Sequence, residues 1–436
     1  MSAVARPTGA DGVWRLPNYR RLWWGNAVST VGSQVTMNAL PLIAVLVLGA
    51  TGTQVGLLRA LYTVPFLLLT LPAGVWLERR ARRPVMLGTD VARAILVLTV
   101  PVCAWVGVLG WPQVYAVVAV GGALTVVSEL AAVAYLPPLV GPFRLAEANS
   151  RMHASLAVSG TTAVGLTGWL ATLVGPAPLL LLDAVSYVVS GAMLLRIRHC
   201  EPAMAAPGDR DPVAETREGL RAVFGHPVIR RCVVYATVFT VGTQLANVAM
   251  VVYLLADVHL GAALFGLTLM AGGVGGIVGT LAAPALLRRH GYGRTMLAGI
   301  VLGAMPMALV PVGHTPAVTV ALTGVALLLG AAGACVTGSA SVTLRHLLTP
   351  TRLHARMNAS YRLVQFAAIP VCSVAAGALV DAIGSRPVLW LAPGVLLAAA
   401  LPLSAGPVRR LGHQSPLADA DRSMLVEKTA WASRSA

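Results

Sequence analysis

Val31-Gly32-Ser33-Gln34 returns about 210 residues later in the chain as Val241-Gly242-Thr243-Gln244. Three further pairs follow in the same order at nearly the same offset: Gly56 and Gly266, Arg79 and Arg289, and Gly168 and Gly377. Single matches mean little in a chain so rich in small apolar residues, but ordered matches at one offset indicate an internal duplication. The sequence therefore predicts two similar halves that run in the same sense.

The composition is that of a chain whose solvent is mostly lipid. Hydrophobic residues make up 57%, charged residues 11%, and the mean hydropathy is +0.76, whereas soluble domains have roughly 25% charged residues. Apolar stretches long enough to cross about 30 Å of hydrocarbon number about twelve. We expect an all-α integral membrane protein with two parallel six-helix halves, which places a solute site between the halves near mid-bilayer.

The composition changes at three places along the chain and suggests four regions. Residues 1–198 form the predicted N-terminal six-helix half and residues 229–404 the C-terminal half. Residues 199–228 between them are polar and rich in proline and charge, as expected of a cytoplasmic linker. Residues 405–436 lack apolar periodicity, and we expect a disordered cytoplasmic tail.

The net charge of +16 comes from a basic N-terminal segment, basic alternate loops and a basic tail. This distribution follows the positive-inside rule and places both termini in the cytoplasm. It indicates a lipid bilayer as the partner and argues against nucleic acid. Lys428 is the only lysine, a bias typical of GC-rich coding, so we expect a multi-pass protein of a bacterial plasma (inner) membrane.

The sharpest motif follows the predicted second span and reads Gly74-Val-Trp-Leu-Glu78-Arg79-Arg80-Ala-Arg82-Arg83-Pro84. A basic loop here could serve only to set topology. The motif also resembles the Gly-x-x-x-Asp-Arg-x-Gly-Arg-Arg signature of the major facilitator superfamily, with Glu78 for the usual Asp and Ala81 for the Gly. In that family the glycine lets helices approach, the acid caps a helix in the other half, and the arginines hold a cytoplasmic gate. The resemblance assigns gating to Gly74, Glu78, Arg79, Arg82 and Arg83.

Several segments of the first half resemble one branch of that superfamily, the drug exporters that include macrolide-efflux proteins and the enterobactin exporter. These segments contain Thr89-Asp90-Val91-Ala92-Arg93, Glu147-Ala148-Asn149-Ser150 and Leu182-Asp183-Ala184-Val185-Ser186-Tyr187. The resemblance implies efflux of a small amphipathic compound, such as an antibiotic, drug or siderophore, driven by the proton gradient. The chain departs from many exporters in lacking Gly-Pro in the fifth span.

Polar residues inside the predicted spans are the candidates for a substrate cavity, because polar groups in lipid are costly. Helical spacing places them on one face of the first span and of its repeat, the seventh. The candidates are Asn26, Thr30, Ser33, Gln34 and Asn38, with Thr240, Gln244 and Asn247. Alternatively, the hydroxyls bond their own backbone and pack helices closely, whereas the amides need other partners.

Five charged residues inside the predicted spans are candidates for a functional role. Asp90 and Arg93 are spaced to pair on one helix face, in a gate or a structural role. Glu129 has no charged residue at helical spacing and is the first candidate for proton coupling, with a gate contact as the alternative. Asp183 is the second coupling candidate, although a structural hydrogen bond also fits. Arg59 could attract an anionic substrate, pair with an acid or extend towards the interface.

Other classes of function find little support in the sequence. No P-loop motif is present, and no His, Cys or acidic residues have metal-ligand spacing. We therefore expect neither an enzyme nor a cofactor nor a metal, but a monomer powered by the proton motive force, with a small-molecule substrate and protons as its ligands. A nutrient importer or uniporter, or a transporter-like sensor, remains the alternative.

Overall fold

The computed structural model describes residues 12–198, 220–221, 223–349 and 353–404, and within them it is nearly all helix. The predicted tail and most of the predicted linker lie outside the described residues. The main helices are α1 Pro17–Leu42, α2 Gly52–Glu78, α3 Arg82–Val106, α4 Trp111–Val140, α5 Leu145–Val174, α6 Leu180–Leu195, α7 Pro227–Val252, α8 Ala262–Ala304, α9 Pro316–Leu348, α10 His354–Ile383 and α11 Ser385–Ala398.

The described residues contain ten helices that are long and apolar enough to cross a membrane. Two features explain the difference from the predicted twelve. Helix α6 is apolar but shorter. The apolar stretch Ala262–Val312 holds two helical segments, because Gly291 breaks α8 with φ 74° and ψ 173°. The all-α membrane fold is confirmed.

Glycine and proline set many of the helix boundaries. Proline stands in the first turn of α1 and α9, where its missing N–H costs nothing. Gly107 follows α3 with φ 77° and Gly175 follows α5 with φ 82°. Positive φ values of this kind end a helix and suit glycine, which has no Cβ.

Contacts divide the chain into two compact units. Unit 1 comprises Met1–Ala50, Leu61–Asp209 and Gly261–Leu267, and unit 2 comprises Thr51–Ala60, Arg210–Leu260 and Thr268–Ala436. The units thus follow the repeat except that each includes a short segment from the other half. These segments are the beginnings of α2 and α8.

Unit 1 is built on two helices that each pack against α6. Helix α1 contacts α6 and α5, and α3 contacts α6 and α4. One end of this bundle has a core in which Tyr19, Leu22, Tyr135 and Leu194 are almost fully buried. Burial of each such side chain contributes about 1.5 to 3 kcal/mol, which fixes the helices around the polar groups described below.

In unit 2, α7 packs against α10 and α11, as its repeat α1 packs against α5 and α6 in unit 1. Its core includes the buried side chains of Ile229, Met296, Leu344 and Tyr361. Glycine permits a close helix approach in each unit. In unit 1, a Cβ on Gly168 would lie 2.7 Å from Gly266 Cα, and in unit 2 a Cβ on Gly52 would lie 2.7 Å from the Gly377 carbonyl oxygen.

Candidate transport site

The most deeply buried acid in the described chain is Asp183, on α6 in unit 1. Its side chain accepts a hydrogen bond from Thr36 Oγ1 of α1 at 2.6 Å and one from Ser186 Oγ at 3.2 Å. Gly32 makes this contact between α1 and α6 possible, since an added Cβ would lie 2.7 Å from Asp183 Oδ1. Asp183 therefore has the structural hydrogen bonds that the sequence allowed.

Asp90 and Arg93 pair as predicted, and both side chains are buried inside unit 1. Arg93 Nη2 lies 2.6 Å from Asp90 Oδ1 and 2.9 Å from the hydroxyl of Ser128 on α4. The guanidinium lies over the ring of Tyr187, 4.4 Å from its centroid. The Tyr187 hydroxyl in turn lies 2.8 Å from Ser33 Oγ of α1. One polar cluster thus connects α1, α3, α4 and α6.

The polar face of α1 bonds largely to its own backbone. Thr30 Oγ1 donates to the Asn26 carbonyl at 2.7 Å, and Asn38 Nδ2 donates to the Gln34 carbonyl at 2.7 Å. Ser33 bonds the Ser29 carbonyl in addition to Tyr187. The alternative of local hydroxyl bonding therefore applies here. All five candidate side chains of α1 are half-buried, so their accessibility is also consistent with substrate contact.

The equivalent face of α7 in unit 2 makes more contacts with other helices. Gln244 Nε2 donates to Ser373 Oγ of α10 at 2.5 Å, so this buried amide has the partner it needs. Gln365 Nε2, also on α10, lies 3.5 Å from Thr240 Oγ1. Asn247 is half-buried.

The motif after α2 lies at the end of unit 1 where α6 ends. Arg83 donates to the carbonyls of Leu194 and Leu195, both at 2.9 Å, and so binds the last turn of α6. Glu78 and Arg79 are exposed, and Arg82 is half-buried. Among the described residues, a Cβ on Gly74 would meet no atom within 4 Å.

The remaining charged candidates lie on exposed positions. Glu129 on α4 and Arg59 on α2 are both exposed, in a structure that contains no lipid. The two proton-coupling candidates therefore differ sharply, because Asp183 is fully buried. No three His, Cys, Asp or Glu side chains of the described residues converge as metal ligands would.

Sequence reasoning missed several members of the buried cluster. Ser186 and Tyr187 follow Asp183 by three and four positions, so helical spacing could have identified them. Thr36 and Ser128 lie on other helices and gave no signal of their own. In unit 2 it missed Arg345, a buried arginine whose guanidinium lies 3.5 Å from the centroid of the Tyr361 ring.

Comparison with known proteins agrees with this architecture. The profile of the Major Facilitator Superfamily matches residues 22–371 and, in a second alignment, residues 232–434. The chain belongs to the major facilitator superfamily. Its members are membrane transporters, and the two units with repeat-related helices are consistent with that family.

Individual relatives are distant. The chain is 25% identical over 232 residues to the uncharacterized MFS-type transporter YvqJ of Bacillus subtilis (strain 168), a match that covers 52% of this chain and 54% of that protein. Among solved structures, a bacterial homologue of the iron transporter ferroportin has a TM-score of 0.69 at 19% identity, covering 90% of this chain and 99% of that one. The nucleoside transporter NupG has a TM-score of 0.71 at 12% identity, covering 89% and 98%. At these identities the structures show a shared fold only.

Proposed function

We propose that this superfamily member exports a small amphipathic organic compound, such as an antibiotic, drug or siderophore, in exchange for protons. The observation that supports this best is the buried Asp183, which lies against α1. An acid in a low-dielectric site can bind and release a proton. Because α1 also has polar candidates for substrate contact, one helix touches both ligands.

Polar residues on α1 and α7 supply the substrate contacts in this proposal. Half-buried amides and hydroxyls suit a compound with few charges, and Arg59 would favour an anionic group on it. The gate is assigned to the motif of Gly74, Glu78, Arg79, Arg82 and Arg83. Its Arg83 holds the end of α6, the helix on which Asp183 lies, and so links the motif to the buried acid.

Proton coupling has two candidates, Glu129 and Asp183, and contact with α1 favours Asp183. Asp183 accepts a hydrogen bond from Thr36 of α1, so a change in its charge acts directly on a helix with substrate-contact candidates. Glu129 is exposed on the membrane-spanning α4, where lipid also provides the low dielectric that favours a neutral carboxyl. We retain Glu129 as a gate contact or as a second proton site.

The test is transport by the purified protein in vesicles with an imposed pH gradient. A panel of macrolides, siderophores and nucleosides should contain a compound that moves against its concentration only when the gradient is present. Asp183→Asn should abolish this accumulation and leave exchange of labelled for unlabelled compound intact. Equal accumulation with and without the gradient would refute proton coupling. Uptake in the opposite direction would indicate an importer, and binding without flux a sensor.

The proposed orientation, with both termini in the cytoplasm, needs a separate test. Two single-cysteine variants of a cysteine-free protein serve here, Arg80→Cys after α2 and Val108→Cys after α3, since both positions are exposed. An impermeant thiol reagent added to intact cells should label Val108→Cys only, because Arg80 belongs to a basic loop. Labelling of both positions from one side would contradict the orientation.

A further inference from the structure

The cluster in unit 1 contains more negative than positive charge in a buried place. Asp90 is 3% exposed and Asp183 0%, and the arginine that acts on both, Arg93, is 7% exposed. If both acids were ionised, the cluster would hold a net negative charge in a low dielectric. An uncompensated buried charge costs several kcal/mol, so one bound proton is the natural way to neutralise it.

Among the described residues, the groups around the two acids come from four helices, and Arg93 is the cation that acts on both. Thr36 of α1 and Ser186 of α6 donate to Asp183, while Arg93 of α3 and Ser190 of α6 bond Asp90. Ser128 of α4 bonds Arg93, and Ser33 of α1 bonds Tyr187, so these two hydroxyls act on the acids through those groups. Hydroxyls can donate to a carboxylate or accept from a protonated carboxyl, so they accommodate either state.

Arg93 is placed to serve either acid. It is paired with Asp90 at 2.6 Å, and its guanidinium lies over the ring of Tyr187, one helical turn from Asp183. In this arrangement Asp90 is compensated by Arg93. Among the described residues, the hydrogen-bond partners of Asp183 are hydroxyls, which is the environment expected of the acid that holds the proton.

We propose that Asp90, Arg93 and Asp183 form one proton-binding site in which the two acids share a single proton and Arg93 pairs with the ionised one. On release, the O–H bond of the Asp183 carboxyl breaks, the proton leaves to water, and Asp183 keeps the electron pair as a carboxylate. Thr36 on α1 then faces a charged group instead of a neutral one. This proposal rests on the proposed function, because it assigns the site of its coupling proton.

Infrared difference spectroscopy of the purified full-length protein tests the site without any substrate. A protonated buried carboxyl has a C=O stretch that disappears when the proton leaves. This band should be present in the wild type and absent in Asp183→Asn. It should also be absent in Asp90→Asn, because Arg93 then has Asp183 as its only acid and the pair is neutral without a proton. Asp381→Asn, at an exposed acid of α10 in unit 2, is the control and should retain the band.

Two further variants test whether Arg93 causes the loss of the band in Asp90→Asn. Asp90→Asn combined with Arg93→Gln leaves Asp183 buried without a cation, so the band lost in Asp90→Asn should return. Arg93→Gln alone leaves two acids without a cation, and the band should grow to about twice its wild-type size. Asp90→Ser removes the same charge and distinguishes a shared proton from a proton on Asp183 alone if Asp90→Asn does not fold.

An unchanged band in Asp90→Asn, or in Arg93→Gln, would overturn the shared site. The failure of the proposed function gives a different pattern, because wild-type vesicles would then transport equally with and without a pH gradient. Coupled wild-type transport together with an unchanged band in Asp90→Asn would refute the shared site alone.

Discussion

Gly32 in unit 1 and Gly242 in unit 2 occupy the same position of the repeat but face different chemistry. A Cβ on Gly32 would lie 2.7 Å from a carboxylate oxygen of Asp183, whereas a Cβ on Gly242 would lie 2.8 Å from Leu396 Cδ2. Each glycine thus lets its helix approach the last helix of its half. Both helix crossings are close at a glycine. Polar groups fill the crossing in unit 1, and a leucine fills the crossing in unit 2.

This difference indicates that helix packing alone does not explain why an acid, Asp183, occupies the crossing in unit 1. A leucine fills the crossing in unit 2, and replacing buried ionic groups by apolar ones is often neutral or stabilising. The buried arginines differ in the same way. Arg93 is paired with Asp90, whereas Arg345 lies over Tyr361 and its Nη1 has no hydrogen-bond partner among the described residues. Charge pairing is therefore a feature of the polar cluster in unit 1.

The largest effect is expected from replacing each of the two buried arginines in turn. Arg93→Met should lower the free energy of unfolding by about 3 to 5 kcal/mol, because it leaves Asp90 buried without its cation. Arg345→Met is the matched control in unit 2. It should cost only about 1 kcal/mol, since it removes the stacking on Tyr361 and the bond to the Ser341 carbonyl.

Thermal and denaturant unfolding of both variants in one detergent would measure these costs. Adding Asp90→Asn to Arg93→Met should restore most of the lost stability, since no buried charge then remains at the pair. Equal losses for Arg93→Met and Arg345→Met would contradict the difference between the units.

Local patterns predicted part of this cluster. The pair of Asp90 and Arg93 follows from spacing on one helix, and the repeat of Gly32 and Gly242 follows from the duplicated sequence. The contact of Thr36 with Asp183 joins residues 147 positions apart, and no spacing rule reaches that far. The same limit applies to Arg83, whose bond to α6 depends on how α3 and α6 pack.

The two glycines provide a second test of the crossings. Gly32→Ala should cost about 1 to 3 kcal/mol of stability, because the methyl group would collide with Asp183 Oδ1 and with the side chain of Ser186 at its Cβ, both 2.7 Å away. Gly242→Ala should cost less, since the first atoms it meets are Cγ and Cδ2 of one leucine side chain, Leu396. Gly394→Ala on α11, where a Cβ meets nothing within 4 Å, is the control and should be neutral or stabilising by up to about 1 kcal/mol. A larger loss of stability for Gly242→Ala than for Gly32→Ala would contradict the interpretation that the polar crossing in unit 1 tolerates an added methyl group less well.

A smaller effect is expected from removing one hydroxyl of the polar crossing. Thr36→Val keeps the shape but takes a hydrogen bond from Asp183, so it should cost about 1 to 2 kcal/mol. Thr167→Val is the matched control, because Thr167 is also buried in unit 1 but donates to the Ala163 carbonyl of its own helix at 2.6 Å. Melting temperatures of the two variants should separate clearly, and equal values would mean that the bond to Asp183 contributes no more than a local one.

The smallest effect concerns Asp381, a charged residue beside the close contact of Gly52 with Gly377 in unit 2. The equivalent contact in unit 1 is that of Gly168 with Gly266. In unit 2, Asp381 of α10 accepts from the backbone N–H groups of Gly52 at 2.6 Å and Thr53 at 2.9 Å, and so caps α2. The repeat of Asp381 in unit 1 is Thr172, which bonds its own helix. Asp381→Asn keeps a polar cap but loses the charge, which favours a helix N-terminus by about 0.3 to 1 kcal/mol.

Hydrogen exchange followed by mass spectrometry can resolve a change of that size at the start of α2. Peptides covering residues 51–60 should exchange about 2- to 5-fold faster in Asp381→Asn, because local opening at the first turn becomes easier by that free energy. Peptides covering residues 261–267 are the internal control and should be unaffected, since the start of α8 contacts α5 in unit 1. Unchanged exchange at both sites would mean that the glycine packing, which the two contacts share, holds these helix ends without help from the carboxylate.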